Sequence, residues 1–222
     1  LTYIKELDAD GGHTALQVSE SGQNAIIVYS GTNHMLTENF VDEVMQTVKP
    51  GDYVLMQNEI NLVPYIIRKA KEAGAQVALN PSPITKELMS YPLEMVDLFI
   101  VNEIEGEAVT GEKEPQKILS AFREKYPHAK IVLTLGSEGS CYQDETTFAM
   151  QEIYKNTVVD TTGAGDPYCG YLLTCLMEDV PVKEALHMAT AASSIAVSRQ
   201  GAAPSIPKRE EVEAFLKERN KG

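Results

Sequence analysis

The sequence predicts an α/β fold in which a mostly parallel central sheet is flanked by helices on both faces. Three observations predict it. Strand-type and helix-type segments alternate from residue 53 to residue 135, a rhythm that calls for parallel strands joined through helices. The segments Val54–Met56, Val77–Leu79 and Ile131–Leu133 are short and apolar throughout, as in strands buried on both faces. After residue 165 the patterning is helical to the end of the chain.

Taken in order, "TALQVSESGQNAIIVYS" (14–30) places two β-prone runs around "SGQN", a hairpin signal. "GTN" (31–33) breaks the pattern. From Thr37, a candidate N-cap, Phe40, Val41, Val44, Met45 and Val48 share one helical face, and "KPGD" ends that helix. "YVLMQ" (53–57) is a buried-type strand, and "LVPYIIRKAKEAG" (62–74) is a helix closed by Gly74. "QVALN" (76–80) is a strand that stops at "PSP", and "DLFIVN" (97–102) is another. "EIEGEAVTG" (103–111) and "PQKILSAFREKY" (115–126) read as helices, and "KIVLTLG" (130–136) as a strand. "CYQDETTFAM" (141–150) suits an edge hairpin; helices are then expected over 167–178, 182–198 and 208–219. Ligands of such folds sit beyond the carboxyl ends of the strands. The polar or glycine-rich stretches there, "NE" (58–59), "NPSP" (80–83), "NEIE" (102–105) and "GSEG" (136–139), are expected to share a crevice.

Composition narrows the function classes. The 222 residues are 43% hydrophobic, enough for a globular core. Nineteen Lys and Arg face 32 Asp and Glu, a net charge of −13 that argues against a nucleic-acid surface. An anionic ligand must therefore be held by backbone N–H groups, a metal or a few placed cations. Cys141, Cys169 and Cys175 lack metal-type spacing and read as reduced thiols of a cytoplasmic protein. No apolar run reaches membrane-spanning length, so no membrane partner is expected. No signal peptide opens the chain, and a first residue of Leu1 rather than Met suggests residues upstream.

The most informative stretch is "VVDTTGAGDPYCGYLL" (158–173). Gly163 and Gly165 allow positive φ and close backbone approach. A helix starting at Asp166 would aim the N–H groups of this loop and of its first turn at an anion, aided by the helix dipole. Pro167 suits the first helical position, which makes Asp166 the N-cap. Asp166 could be a cap and nothing more. Beside an anion hole it could also take a proton from a hydroxyl while charge on a transferring phosphoryl group is stabilised. No Lys-Ser/Thr pair follows the glycines, and the strand–GxGxxG turn is absent, so neither common nucleotide loop is present.

"DTTGAGD" (160–166) resembles the C-terminal signature of the ribokinase family, the phosphofructokinase-B-type carbohydrate kinases. "NEIE" resembles that family's N-x-x-E motif, and "VLTLGSEGS" (132–140) its nucleotide-binding strand and turn. "NPSP" and "GTN" match further landmarks, and "AVSRQGAAPSIP" (196–207) resembles the potassium and nucleotide loop of ribokinases. Order and spacing agree from about residue 11 onward. The resemblance implies a ribokinase-like three-layer domain over 1–222, with 11–33 as the lid or edge hairpin. It implies Asp166 as catalytic base, also touching sugar and nucleotide, and Gly163, Ala164 and Gly165 as anion hole. Asn102 would organise the phosphates, and Glu105 magnesium through water, a binding mode that suits an ion which keeps its waters. Thr134, Leu135, Gly136, Ser137, Glu138 and Gly139 would line the ATP site, and Glu59 would hydrogen-bond the sugar. Asp160, Thr162, Ala196, Arg199 (through its backbone oxygen), Gly201 and Ser205 would surround potassium. Each has a plainer role open to it: Asn102 as a strand end, Glu105 as a solvated first-turn acid, "GSEG" as a turn, Glu59 as a helix cap and Arg199 as a surface ion pair.

The implied reaction is ATP-dependent phosphorylation of a sugar hydroxyl, with D-ribose giving ribose 5-phosphate. Another furanose or a nucleoside as acceptor, or a non-catalytic binding protein on the same fold, remain alternatives. Two lids could pair into a homodimer. The chain departs from the family in lacking its N-terminal "GGKGAN"-type sugar motif; "DGGH" (10–13) is the only double glycine. A fragment of a longer protein, or completion by another chain, is therefore expected. Pro167 replaces a small hydroxyl residue, and Thr190 stands where many relatives carry Asn or His near the adenine.

Overall fold

The computed structural model describes residues 2–18 and 24–219, so most of the expected "SGQN" turn lies outside the described residues. Two compact units divide the chain, Leu1–Leu98 and Phe99–Gly222. There are two sheets among the described residues, one of two strands and one of six.

In the first unit β1 (His13–Val18) and β2 (Asn24–Tyr29) pair antiparallel, with His13 opposite Tyr29 and Val18 opposite Asn24. Ile27, Val28 and Tyr29 of this hairpin are exposed. Helix α1 (Glu38–Met45) is capped as expected, the Phe40 N–H donating to Thr37 Oγ1 at 3.3 Å. It stops short of Val48, because the Thr47 and Val48 N–H groups bond back only three residues, to Val44 and Met45.

Strands β3 (Tyr53–Gln57) and β4 (Gln76–Asn80) are parallel, joined by α2 (Val63–Glu72). Ile66, Ile67 and Ala70 form the buried stripe of α2, and full burial of Ile67 alone is worth about 2–3 kcal/mol. Gly74, at φ +79°, turns the chain into β4. The Asp97 carboxylate accepts from Lys71 Nζ at 2.8 Å and from the Val77 N–H at 2.7 Å, tying α2 to β4. Beyond the end of β3 the buried Asn58 donates to Pro83 O at 2.7 Å and accepts from the Tyr91 hydroxyl at 3.0 Å. That bond network ties the β3 end to the segment after "NPSP".

At the junction lies β5 (Leu98–Asn102). The second unit continues with α3 (Glu103–Thr110), α4 (Pro115–Lys125), β6 (Lys130–Thr134), β7 (Ser140–Gln143) and β8 (Phe148–Gln151). Strands β6, β7 and β8 are successively antiparallel, so the expected edge hairpin is present. Helices α5 (Gly165–Met177), α6 (Val182–Ala196) and α7 (Arg209–Arg219) follow, within a few residues of the expected bounds. Phe99 packs against Phe122 and Tyr126, each with ring centroids 5.1 Å away. Helix α3 crosses α4 at Gly106, where a Cβ would meet Ile118 Cγ2 at 2.8 Å. Helix α6 is close-packed through small residues, with Ala185, Ala189, Ala191 and Ala192 all buried. No helix among the described residues is long and apolar enough to cross a membrane.

Candidate active site

Two helix N-termini of the second unit carry the residues of interest. At α3, Asn102 is the N-cap and Glu105 the third helical residue, and each serves the other. Asn102 Oδ1 accepts from the Glu105 N–H at 2.9 Å, and Glu105 Oε2 accepts from the Asn102 N–H at 2.9 Å. The Asn102 amide also donates to Glu105 Oε1 at 3.0 Å. Glu105 is buried, so it is not the solvated acid that the plainer reading allowed. The N-x-x-E spacing is that of a capping box.

Helix α5 starts differently. Its N-cap is Ala164, with no side-chain cap, and its first residue is Gly165. Asp166 is therefore not the cap but the second helical residue, and Pro167 the third rather than the first. The reason is the turn before it: the Ala164 N–H bonds Thr161 O at 3.2 Å and the Asp166 N–H bonds Gly163 O at 3.0 Å, so the chain is already winding by Thr161. Pro167 still removes no intrahelical bond, since the first four N–H groups of a helix have no acceptor in it. Gly163 is held at φ +69°, and a Cβ there would lie 3.3 Å from Asp166 Oδ2, so the exposed carboxylate lies over the loop. Ser193 Oγ donates to Ala164 O at 2.9 Å and pins the loop to α6.

Gly165 and Ala164 open onto a cavity of about 680 Å³, within the range of small-molecule sites. Thr134 at the end of β6, with Gly136, Ser137 and Gly139 of the following 3-10 turn, forms one side. Gly139 is obligatory, because at φ +104° a Cβ would collide with the Gln151 carbonyl. Leu135 instead points into the core, and Glu138 is exposed on the rim. Opposite lie Thr190, Ser193, Ser194 and Val197, one face of α6 continued past its last turn. The irregular segment from Ile153 to Asn156 completes the wall and brings in a cation, Lys155. The hydroxyl of Thr190 is buried with no hydrogen-bond partner among the described residues. An orphaned hydroxyl lining a cavity fits a polar ligand.

Below the loop, Tyr168 donates to Ser140 Oγ at 2.7 Å, and burial raises its pKa. Burial, helped by Asp166 and Glu105, pushes the Cys169 thiol up to about 12, which keeps it a neutral thiol near neutral pH. Asp160 accepts from the Thr162 N–H at 2.9 Å and the Gly201 N–H at 3.0 Å. The Gly201 bond, then those to Thr162, hold its carboxyl below the ordinary value. Asp160 thus clasps the 160–162 loop to the 196–205 loop. There Ser205 Oγ donates to Ala202 O, and the Arg199 guanidinium pairs with Glu211. Carbonyl and hydroxyl oxygens in these loops are the donor type a hard monovalent ion takes. No cage of three or more His, Cys, Asp or Glu exists among the described residues. A magnesium ion would thus depend on one carboxylate, water and phosphate oxygens.

In the first unit, Glu59 is exposed in the turn after β3. It does not cap α2, whose N-cap is Leu62 without a side-chain bond.

Sequence reasoning missed the wall from Ile153 to Asn156 and most of the α6 face. The second had a signal: Thr190, Ser193 and Ser194 recur at helical spacing as a polar break in an Ala-rich helix. The first, an irregular segment, had none.

The family description "pfkB family carbohydrate kinase" matches residues 3–209. The chain is 33% identical over 212 residues to the ribokinase of Haemophilus influenzae, covering 92% of this chain and 69% of that protein. It is 34% identical over 217 residues to a bifunctional ribokinase/ribose-5-phosphate isomerase A of Fructilactobacillus sanfranciscensis, covering 94% of this chain and 40% of that one. The structure of Arabidopsis thaliana ribokinase complexed with ribose and ATP superposes with a TM-score of 0.79 at 28% identity, over 95% of this chain and 70% of that one. The expected α/β, ribokinase-like fold with a mostly parallel sheet is borne out by that likeness.

Proposed function

The chain belongs to the pfkB family of carbohydrate kinases, and on that premise we propose that it transfers the γ-phosphoryl group of ATP to the primary hydroxyl of D-ribose. One observation carries the reading: the cavity opens at the uncapped N-terminus of α5, with Asp166 over the same loop. The nucleobase end lies by Thr190, whose unpartnered hydroxyl can donate or accept. The phosphates lie toward Gly165. The turn engages the N–H groups of Ala164 and Asp166, and those of Gly163 and Gly165 serve the transferring oxygens. Asp166 takes the proton of the sugar hydroxyl as its oxygen bonds to phosphorus and the bond to ADP breaks. A magnesium ion bound here would neutralise phosphate charge; Glu105, held in place by the capping box, would orient its water. The clasp of Asp160 keeps the loops of the potassium site together beneath the anion hole. Glu59 is the candidate sugar ligand. The exposed Ile27, Val28 and Tyr29 support pairing of two lids, and the free thiols support a cytoplasmic setting.

The test is ADP release from the protein with ATP, magnesium and potassium against ribose, fructose and adenosine. Ribose should support the fastest turnover. Faster turnover with another acceptor would reassign the substrate, and nucleotide binding without turnover on any of them would favour the non-catalytic reading.

A further inference from the structure

The wall of the cavity from Ile153 to Val158 is neither helix nor strand, so its shape depends on what holds it. Near α5 it is tied to α6. Asn156 Nδ2 donates to Ser194 O at 3.0 Å, and the Val159 and Asp160 N–H groups donate to Val197 O at 2.8 and 3.1 Å. At the far end α7 takes over. Arg219 Nη2 donates to Lys155 O at 2.8 Å. Its guanidinium lies 4.5 Å from the Phe215 ring centroid and 5.7 Å from that of Tyr154. Phe215 meets Tyr154 edge-on, centroids 5.5 Å apart and planes at 90°. The Tyr154 hydroxyl is hydrogen-bonded to His187 Nδ1 on α6. Tyr154, a lining residue of the cavity, is thus fixed on its outer side by three side chains.

Phe215 and Arg219 lie beyond the stretch matched to the family, residues 3–209, so membership does not predict this contact. Phe215 also helps to seat α7: with Leu216 it packs against the buried cluster of Ala191, Ala192, Ile195 and the fully buried Val212. Arg219 is exposed and spends its donors and its cationic face on the wall instead.

We propose that Phe215 and Arg219 form a clamp through which the C-terminal helix holds Tyr154 and the Lys155 backbone in place and so sets the affinity for a nucleoside triphosphate. This builds on the assignment of the cavity to a nucleotide. Both are positioning residues, since neither lines the cavity. A loose wall must be ordered when ligand binds, and that ordering subtracts from affinity. The loss should appear in nucleotide binding and leave the sugar and the reacting atoms untouched.

The experiment is calorimetric titration of the protein with ATP, alongside steady-state kinetics, for Phe215→Ala, Arg219→Ala, Arg219→Lys and Leu216→Ala. Losing one aromatic or cation–π contact should weaken ATP binding and raise the KM for ATP about three- to tenfold in Phe215→Ala and Arg219→Ala. The kcat at saturating ATP and the KM for sugar should match the wild type. Arg219→Lys, which keeps the charge but not the planar donor fork, should fall between. Leu216→Ala should lower Tm and leave ATP affinity alone. Wild-type ATP affinity in both alanine variants, whatever their Tm, would overturn the clamp while the nucleotide site stands. A fall in kcat with unchanged ATP affinity would overturn it too. A wild-type protein that binds no ATP would remove the site and the clamp together.

Discussion

The N-termini of α3 and α5 both carry an acid in the first helical turn, yet they are built in opposite ways. At α3 the Asn102 and Glu105 side chains consume each other's polar groups, and the carboxylate is buried. At α5 no side chain caps the helix, two glycines precede the acid, and Asp166 is exposed. A closed terminus stabilises the fold by itself. An open one leaves backbone donors and the positive end of the dipole for a ligand. The same kind of helix end is closed by its own side chains at α3 and left without a side-chain cap at α5.

Substitutions at each terminus should separate these roles. The largest effect is expected from Asp166→Asn: a fall in turnover of a hundred- to ten-thousandfold with ATP affinity and Tm retained, read by ADP release and calorimetry. Near-normal turnover would remove the base from the open terminus. Gly163→Ala comes next. At φ +69°, with Ala202 Cβ 3.2 Å from the new methyl, the loop must shift, and turnover should fall roughly ten- to hundredfold. Gly165→Ala is its counterpart. A Cβ there meets nothing within 4 Å, and φ is not positive, so stability should rise by about 0.5–1 kcal/mol while ATP binds more weakly. Unchanged affinity would show that ligand does not approach Gly165. At the closed terminus Asn102→Ala should cost about 1 kcal/mol, a Tm loss of about 2–4 °C in thermal denaturation. No change in Tm would mean that the box contributes nothing to stability.

The smallest effect concerns Asp160, which joins two loops through N–H donors. Its folded pKa is depressed below 3.8, so its contribution is present above that value and is lost as pH falls through the folded pKa. An NMR titration should find Asp160 with a midpoint below 3.8, and Asp160→Asn should remove that step from the acid limb of stability. A midpoint at or above 3.8 would mean that the clasp does not form.

The glycines, Asp166, Asn102 and Glu105 were all legible as a spaced pattern, because each answers to a local rule: positive φ, a helix start or a cap. The register of α5 was misread by two residues. Proline at the first helical position is a strong local preference, but the turn bonds from Ala164 and Asp166 began the helix earlier. Glu105 was read as either solvated or metal-linked. It is buried, and near enough to Cys169 of α5 to act on that thiol, a neighbour 64 residues onward that periodicity does not report. The Tyr154 wall was invisible for a related reason: its anchors come from Ser194, Phe215 and Arg219, 38 to 65 residues onward.

Local chemistry along the chain was enough to establish the α/β alternation, most helix starts and stops, and the glycine-rich loop with its neighbouring acid. Hydrophobic period, caps and backbone permissiveness each act within a few residues, so they are written in consecutive letters. Packing at a distance decided the rest: which face of α6 meets the cavity, that the Thr190 hydroxyl there has no partner among the described residues, and that α7 returns to brace the Tyr154 wall. Those outcomes depend on how buried volume and hydrogen bonds are shared among segments far apart in sequence. No single segment carries that information.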